Sequence, residues 1–170
     1  PKIAATVRKV VDLWSTGEKV LVFAFYRRTC RALRLHISEA IERSLKTLAR
    51  RRLAGAGRPA SDGDIARIID SVQNRFFDRV EAPGRKALDQ ALAEIVEDHE
   101  AALEQAGVHG DARDELIDVM RRFLRVTTTL VRAFPIHQHD SLDPHLAVRS
   151  MLDAKDDSDV SWHDKFHEFL

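Results

Sequence analysis

Apolar residues recur every three or four positions from the start of the chain: Ile3, Val7, Val10, Val11 and Trp14 line one face of a predicted helix over 2–14, and Ser15, Thr16 and Gly17 supply its stop. The pattern then changes. Val20, Leu21, Val22, Phe23, Ala24 and Phe25 form an unbroken apolar run, too short for a buried helix and rich in β-branched and aromatic side chains, which predicts a strand covered on both faces. Thr29 can cap the next element, because its hydroxyl oxygen can accept from an amide of a first helical turn. From Cys30 to about Leu53 the positions Leu33, Ile37, Ile41, Leu45 and Leu48 restore the helical period, with arginines around the rest of the circumference.

Gly55, Gly57, Pro59 and Gly63 mark a break over 54–63, after which the signal is helical throughout. Ile65, Ile68, Ile69, Val72, Phe76 and Phe77 predict a helix from Asp64 to about Val80, interrupted by Pro83 and Gly84. Leu88, Leu92, Ile95, Val96 and Leu103 predict one from Lys86 to Ala106. Leu116, Met120, Phe123, Thr127, Leu130 and Phe134 predict a third from Asp111 to Phe134, and two shorter ones follow at Pro144–Leu152 and Trp162–Leu170. The expected fold class is mainly α, a multi-helix bundle with one short buried β-strand near the N-terminus. That strand poses a difficulty, because a lone strand cannot satisfy its own amides and carbonyls. Either 20–25 is helical or its partner strands lie in sequence outside these residues, and the second is the expectation adopted.

At 170 residues and 44% hydrophobic content the chain has the material for one compact domain with a core. No apolar run approaches the ~20 residues needed to cross a bilayer, and the first residues lack the layout of a secretory signal, so a cytoplasmic chain with no membrane partner is expected. Cys30 is the only cysteine, which excludes an internal disulfide or a thiolate metal cluster and predicts a buried small apolar side chain. Pro1 in place of methionine, and Leu170 within an apolar pattern, suggest processing or a longer polypeptide. The formal net charge is zero, yet residues 1–85 hold 18 Lys and Arg against 9 Asp and Glu, and residues 86–170 the reverse. Either the halves face each other or the basic half faces an anionic partner.

Gly17, Glu18, Lys19, Val20, Leu21, Val22 and Phe23, followed by the polar turn Tyr26–Thr29 and a helix, resemble helicase motif IV, the opening of the second RecA-like domain of superfamily 2 helicases of the Swi/Snf-like or DEAD/DEAH-like kind. The resemblance covers roughly residues 1–50. It implies that 1–53 is the start of a helicase C-terminal RecA-like domain (helix, strand, helix), an incomplete α/β unit, and that 64–170 is a helical insertion or bundle. It implies ATP and magnesium as cofactors of a parent hydrolase, none of them bound by this segment, with nucleic acid, DNA in the first instance, and other subunits as partners. It places Tyr26, Arg27, Arg28, Thr29 and Arg31 near the phosphates of the tracked strand. The glycine-rich phosphate loop and the acidic metal-holding motif are missing from the 170 residues, and Gly57-Arg58 and Gly84-Arg85 lack the surroundings of an arginine finger. No catalytic residue is assigned.

Beyond the resemblance, Arg27, Arg28, Arg31, Arg34, Arg43, Lys46, Arg50, Arg51 and Arg52 form a basic patch whose forked guanidinium donors suit phosphate oxygens, or whose charges pair with the acidic half. His137, His139, Asp140, Asp143 and His145 cluster between two helices, and His163 and His167 are one turn apart. Neither group has a recognised metal spacing, His99 lacks the glutamate of a Glu-x-x-His pair, and polar loop histidines are expected. Two other classes compete with the motor segment: a stand-alone all-α adaptor or interaction domain, and a small DNA-binding module centred on 27–52.

Overall fold

The computed structural model describes residues 2–16 and 20–170, so Gly17, Glu18 and Lys19 of the motif lie outside the described residues. Those described are mainly helical, with nine α-helices: α1 Lys2–Ser15, α2 Arg27–Gly55, α3 Asp62–Gln73, α4 Pro83–Glu97, α5 Glu100–Gln105, α6 Asp111–Arg125, α7 Thr127–Ala133, α8 Pro144–Leu152 and α9 Trp162–Phe169.

The boundaries follow local chemistry. Ser61 and Ser161 each accept from the amide three residues on, while Asp64 and Asp164 reach back to the serine amides, so α3 and α9 both open with a reciprocal capping box. The serine hydroxyls also donate to these carboxylates, and those bonds first, then the serine amides, hold both aspartates below the usual carboxylate range. Asp143 caps α8 through the amides of His145 and Leu146. Pro83 and Pro144 occupy first-turn positions of α4 and α8, where the missing proline N–H has no helical acceptor to lose.

Two long predicted helices are each divided. The 86–106 stretch breaks at Asp98–His99, and the 111–134 stretch breaks at Val126, whose φ of −65° and ψ of 141° are extended. Thr129 donates to the carbonyl of Phe123 across that second break. The predicted helix from 64 ends in a π-helical turn, Asn74–Asp78, that rotates Phe76 and Phe77 into the core.

The core is one cluster that spans both sides of the glycine-rich break. Leu45, Ala49 and Leu53 of α2 pack with Val72 and Phe76, with Leu88 and Leu92 of α4, with Met120 and Leu124 of α6, and with Phe134, Met151 and Phe166. The Phe76 and Phe134 rings meet edge to face at 5.0 Å. The N-terminal half of α2 contributes only Leu33 to the buried set, with Val10 of α1 also buried.

The predicted buried strand is absent. Val20–Ala24 has no regular secondary structure, and a bend follows at Phe25 and Tyr26. Exposure alternates along the run. Leu21, Phe23 and Phe25 are 82%, 89% and 94% exposed, whereas Val20 and Ala24 are half-buried. The reason is the difficulty already met: no strand lies alongside, among the described residues, to satisfy the backbone of a ladder. Thr29 is not the cap of α2, since the helix starts two residues earlier and its N-cap is Tyr26. Cys30 is exposed rather than buried, its thiol directed at the carbonyl of Ala24 at 3.3 Å. Among the described residues no helix is long and apolar enough to cross a membrane.

Candidate nucleic-acid interface

Tyr26, Arg27, Arg28, Thr29 and Arg31 sit together at the entrance of α2. The Tyr26 carbonyl accepts the first helical bond, from the amide of Cys30 at 3.0 Å, and no side chain caps the turn. The amides of Arg27, Arg28 and Thr29 therefore stand at an uncapped positive helix end with no acidic residue in its first turn. Tyr26 is 70% exposed, its ring edge-on to Phe25 at 5.2 Å between centroids. Arg27, Arg28 and Arg31 are exposed and Thr29 is half-buried.

The fate of the basic patch bears on the two readings of the charge split. In α2, Lys46 pairs with Glu42 at 2.6 Å, and Arg50 reaches Asp62 at 2.7 Å. Arg27, Arg28, Arg31, Arg34, Arg43, Arg51 and Arg52 have no carboxylate partner among the described residues. Only Arg58 to Asp140 and Arg85 to Asp89 join a cation of the first half to an acid of the second there. Among the described residues, most of the α2 arginines thus have no carboxylate to neutralise them.

Further along α2 the helix forms one wall of a cleft of about 1040 Å³. Arg43, Thr47 and Arg51 of α2 line it together with Arg132 of α7, Trp14 of α1 and Trp162 of α9. The Arg132 guanidinium lies 5.0 Å from the centre of the Trp14 ring and donates to the carbonyl of Ser15 at 3.1 Å. Lys165 lies 4.9 Å from the centre of the Trp162 ring while pairing with Asp156. Arg52 donates to the carbonyl of Val131, and its burial pushes the guanidinium down from its usual value. The basic patch of α2 supplied Arg43, Arg51 and Arg52 to the reading of the sequence, but Trp14, Arg132, Lys155 and Trp162 were missed. Nothing in local spacing announces them, because they meet only through contacts between distant parts of the chain.

The histidines of the two sequence clusters, with His99, sort into two groups. Those between α7 and α8 serve the backbone: the carbonyl of His137 and the carboxylate of Asp140 both receive Arg58, and His139 Nδ1 approaches the Ile136 carbonyl at 3.1 Å. His99, His163 and His167 form a chain of imidazoles, with His99 Nε2 2.7 Å from His167 Nδ1 and His167 Nε2 3.3 Å from His163 Nε2. His167 uses opposite ring nitrogens for the two contacts, so the three cannot converge on one ion. Among the described residues no group of three His, Cys, Asp or Glu side chains is placed to hold a metal.

No family model, no curated protein and no solved structure matches this chain.

Proposed function

We propose that this chain is part of an ATP-dependent superfamily 2 nucleic-acid helicase or translocase, comprising the beginning of its second RecA-like domain and a helical insertion. Its part is to contact nucleic acid, DNA in the first instance, through Tyr26, Arg27, Arg28, Thr29 and Arg31. The observation that carries the reading is the state of Val20–Phe25. Leu21, Phe23 and Phe25 alternate along the chain and are nearly fully exposed, as they would be on one uncovered face of a strand. Large apolar side chains in such a row incur a hydration penalty that neighbouring strands would remove. The run leads straight into a helix whose first turns bear unneutralised arginines, the order that the resemblance to motif IV requires.

ATP and magnesium would belong to the rest of the motor. The 170 residues contain no glycine-rich phosphate loop and no acidic magnesium-holding motif, so they do not fit a nucleotide site. A second reading has its own observation. Residues from Leu45 to Phe166 close a single core, as expected of a helical adaptor that joins subunits without a motor.

Binding of fluorescein-labelled DNA to the wild type and to an Arg27→Ala/Arg28→Ala variant separates them. The motor reading expects binding that weakens with salt, and a variant whose log-log salt slope is shallower by about two. Unchanged affinity and slope in the variant would remove these residues from the contact and favour the adaptor.

A further inference from the structure

We propose that the cleft between α2 and α7 is a second site, one that holds a segment of single-stranded nucleic acid, with its phosphates on Arg43, Arg51 and Arg132 and its bases toward Trp14 and Trp162. The inference goes beyond the proposed function. It shares a polyanionic partner with that reading but rests on the cleft's own lining, and it would stand without a motor.

The charge of the lining comes first. Arg43, Arg51, Arg52 and Arg132 all border the cleft, and among the described residues none of the four has a carboxylate partner. What they do bond is neutral: Arg43 Nε donates to the Glu39 carbonyl, Arg52 to that of Val131, and Arg132 to those of Trp14 and Ser15. The acids of the same lining are Asp156 and Asp157, and Asp156 is taken by Lys165. Four guanidiniums therefore face one uncommitted carboxylate, and two of the four, Arg52 and Arg132, are half-buried. Like charges gathered in partly desolvated surroundings repel, and among the described residues of the lining only Asp157 is left to offset them. A bound anion relieves that repulsion, and guanidiniums prefer phosphate because their donors fork in one plane.

Shape and aromatic content narrow the anion. Arg43 and Arg51 are eight residues apart on one helix, which sets them about 12 Å apart along its axis. A single phosphate cannot engage both, whereas a chain of phosphates can. A cleft of about 1040 Å³ also exceeds what inorganic phosphate would fill. Its two indoles each carry a cation on the ring, Arg132 on Trp14 and Lys165 on Trp162. Planar aromatic and guanidinium groups beside a basic track are what unpaired bases stack on, and base stacking is tolerant of sequence. Ser44, Thr47 and Thr128 add hydroxyls between the charges. A duplex keeps its bases stacked inside and offers the indoles nothing.

The chain's only two tryptophans both border this cleft, so intrinsic fluorescence reports its occupancy. The test titrates the whole chain with oligo(dT) and oligo(U), followed by tryptophan quenching and by anisotropy of a labelled strand, with a duplex and poly-aspartate as competitors. Quenching that saturates with either strand, weak competition by both competitors, and an Arg43→Ala/Arg51→Ala variant that loses about tenfold in affinity and about two in salt slope are the expected results. Both arginines are exposed, and an unchanged circular dichroism spectrum checks that the variant is folded. Stronger binding of oligo(U) than of oligo(dT), or the reverse, names the preferred strand and supports the site in either case. The Arg27→Ala/Arg28→Ala variant should still show the quenching, so loss of the α2 entrance contact is distinguishable from loss of the cleft. Binding without quenching, unchanged affinity in Arg43→Ala/Arg51→Ala, or displacement by duplex or poly-aspartate at equal charge concentration would overturn the proposal.

Discussion

Gly84 shows how closely one residue can be specified. A β-carbon there would lie 2.8 Å from the Arg75 carbonyl oxygen and 2.8 Å from the Phe76 ring, at the place where α4 starts against the π-helical turn. Gly84 is the second residue of α4, so the advantage of about 1 kcal/mol that alanine has over glycine in a helix interior is an upper bound there. Overpacking of this kind costs about 1–3 kcal/mol, and neither a backbone carbonyl nor a ring wedged on Phe134 can yield cheaply. Gly84→Ala should therefore lower the urea midpoint with an unchanged slope, while Gly63→Ala, whose nearest neighbour is Ser61 Oγ at 3.8 Å, should leave it unchanged or raise it. The sequence marks Gly84 only as part of an interruption after Pro83. The need for hydrogen at that position comes from a ring turned inward by the π-helical turn, which no local pattern encodes. The arginines of α2 were legible as a patch, yet which of them would be left without a carboxylate depended on where Glu42 and Asp62 came to lie.

At the scale of elements, helix faces were readable because a period of three to four specifies one buried side. The positions predicted apolar on α3 and α4 enter the core or, for Ile68, pack against it. Breaks inside long periodic stretches were not readable: at Val126 and at His99 the helix is interrupted while the apolar spacing continues, so periodicity alone registers no interruption. At the Asp98–His99 break, His99 lies beside His167 of α9. Burial, then the neighbouring His163 and His99, hold the His167 imidazole below its ordinary 6.5, while Asp98 and Asp164 oppose the shift. With the folded value lowered, the unfolded chain takes up the proton first as pH falls. Stability is then intact above about 6.5 and declines as the pH drops from there toward the folded value. Thermal melts across this range should show that decline in the wild type and a flatter profile in His167→Gln. Equal slopes in the two would mean that His167 does not link protonation to folding.

For the molecule as a whole, the mainly helical class follows from the apolar periodicity, and the separation of charge along the sequence survives folding because few cations of the first half meet acids of the second. The segment 20–25 is where the sequence reading and the structure part. Its composition is that of a covered strand, and composition cannot supply the strands that would cover it. In the structure the segment adopts no regular structure, and Leu21, Phe23 and Phe25 face solvent. Whether these side chains belong in a sheet is the claim on which the motor reading depends. The most direct measurement is hydrogen–deuterium exchange at the amides of Val20–Phe25 in the complete polypeptide that the natural gene encodes, set against the 170-residue chain. A strand completed by its neighbours should slow exchange there by orders of magnitude relative to the isolated chain. Exchange equally fast in both would contradict the account and leave the helical adaptor in its place.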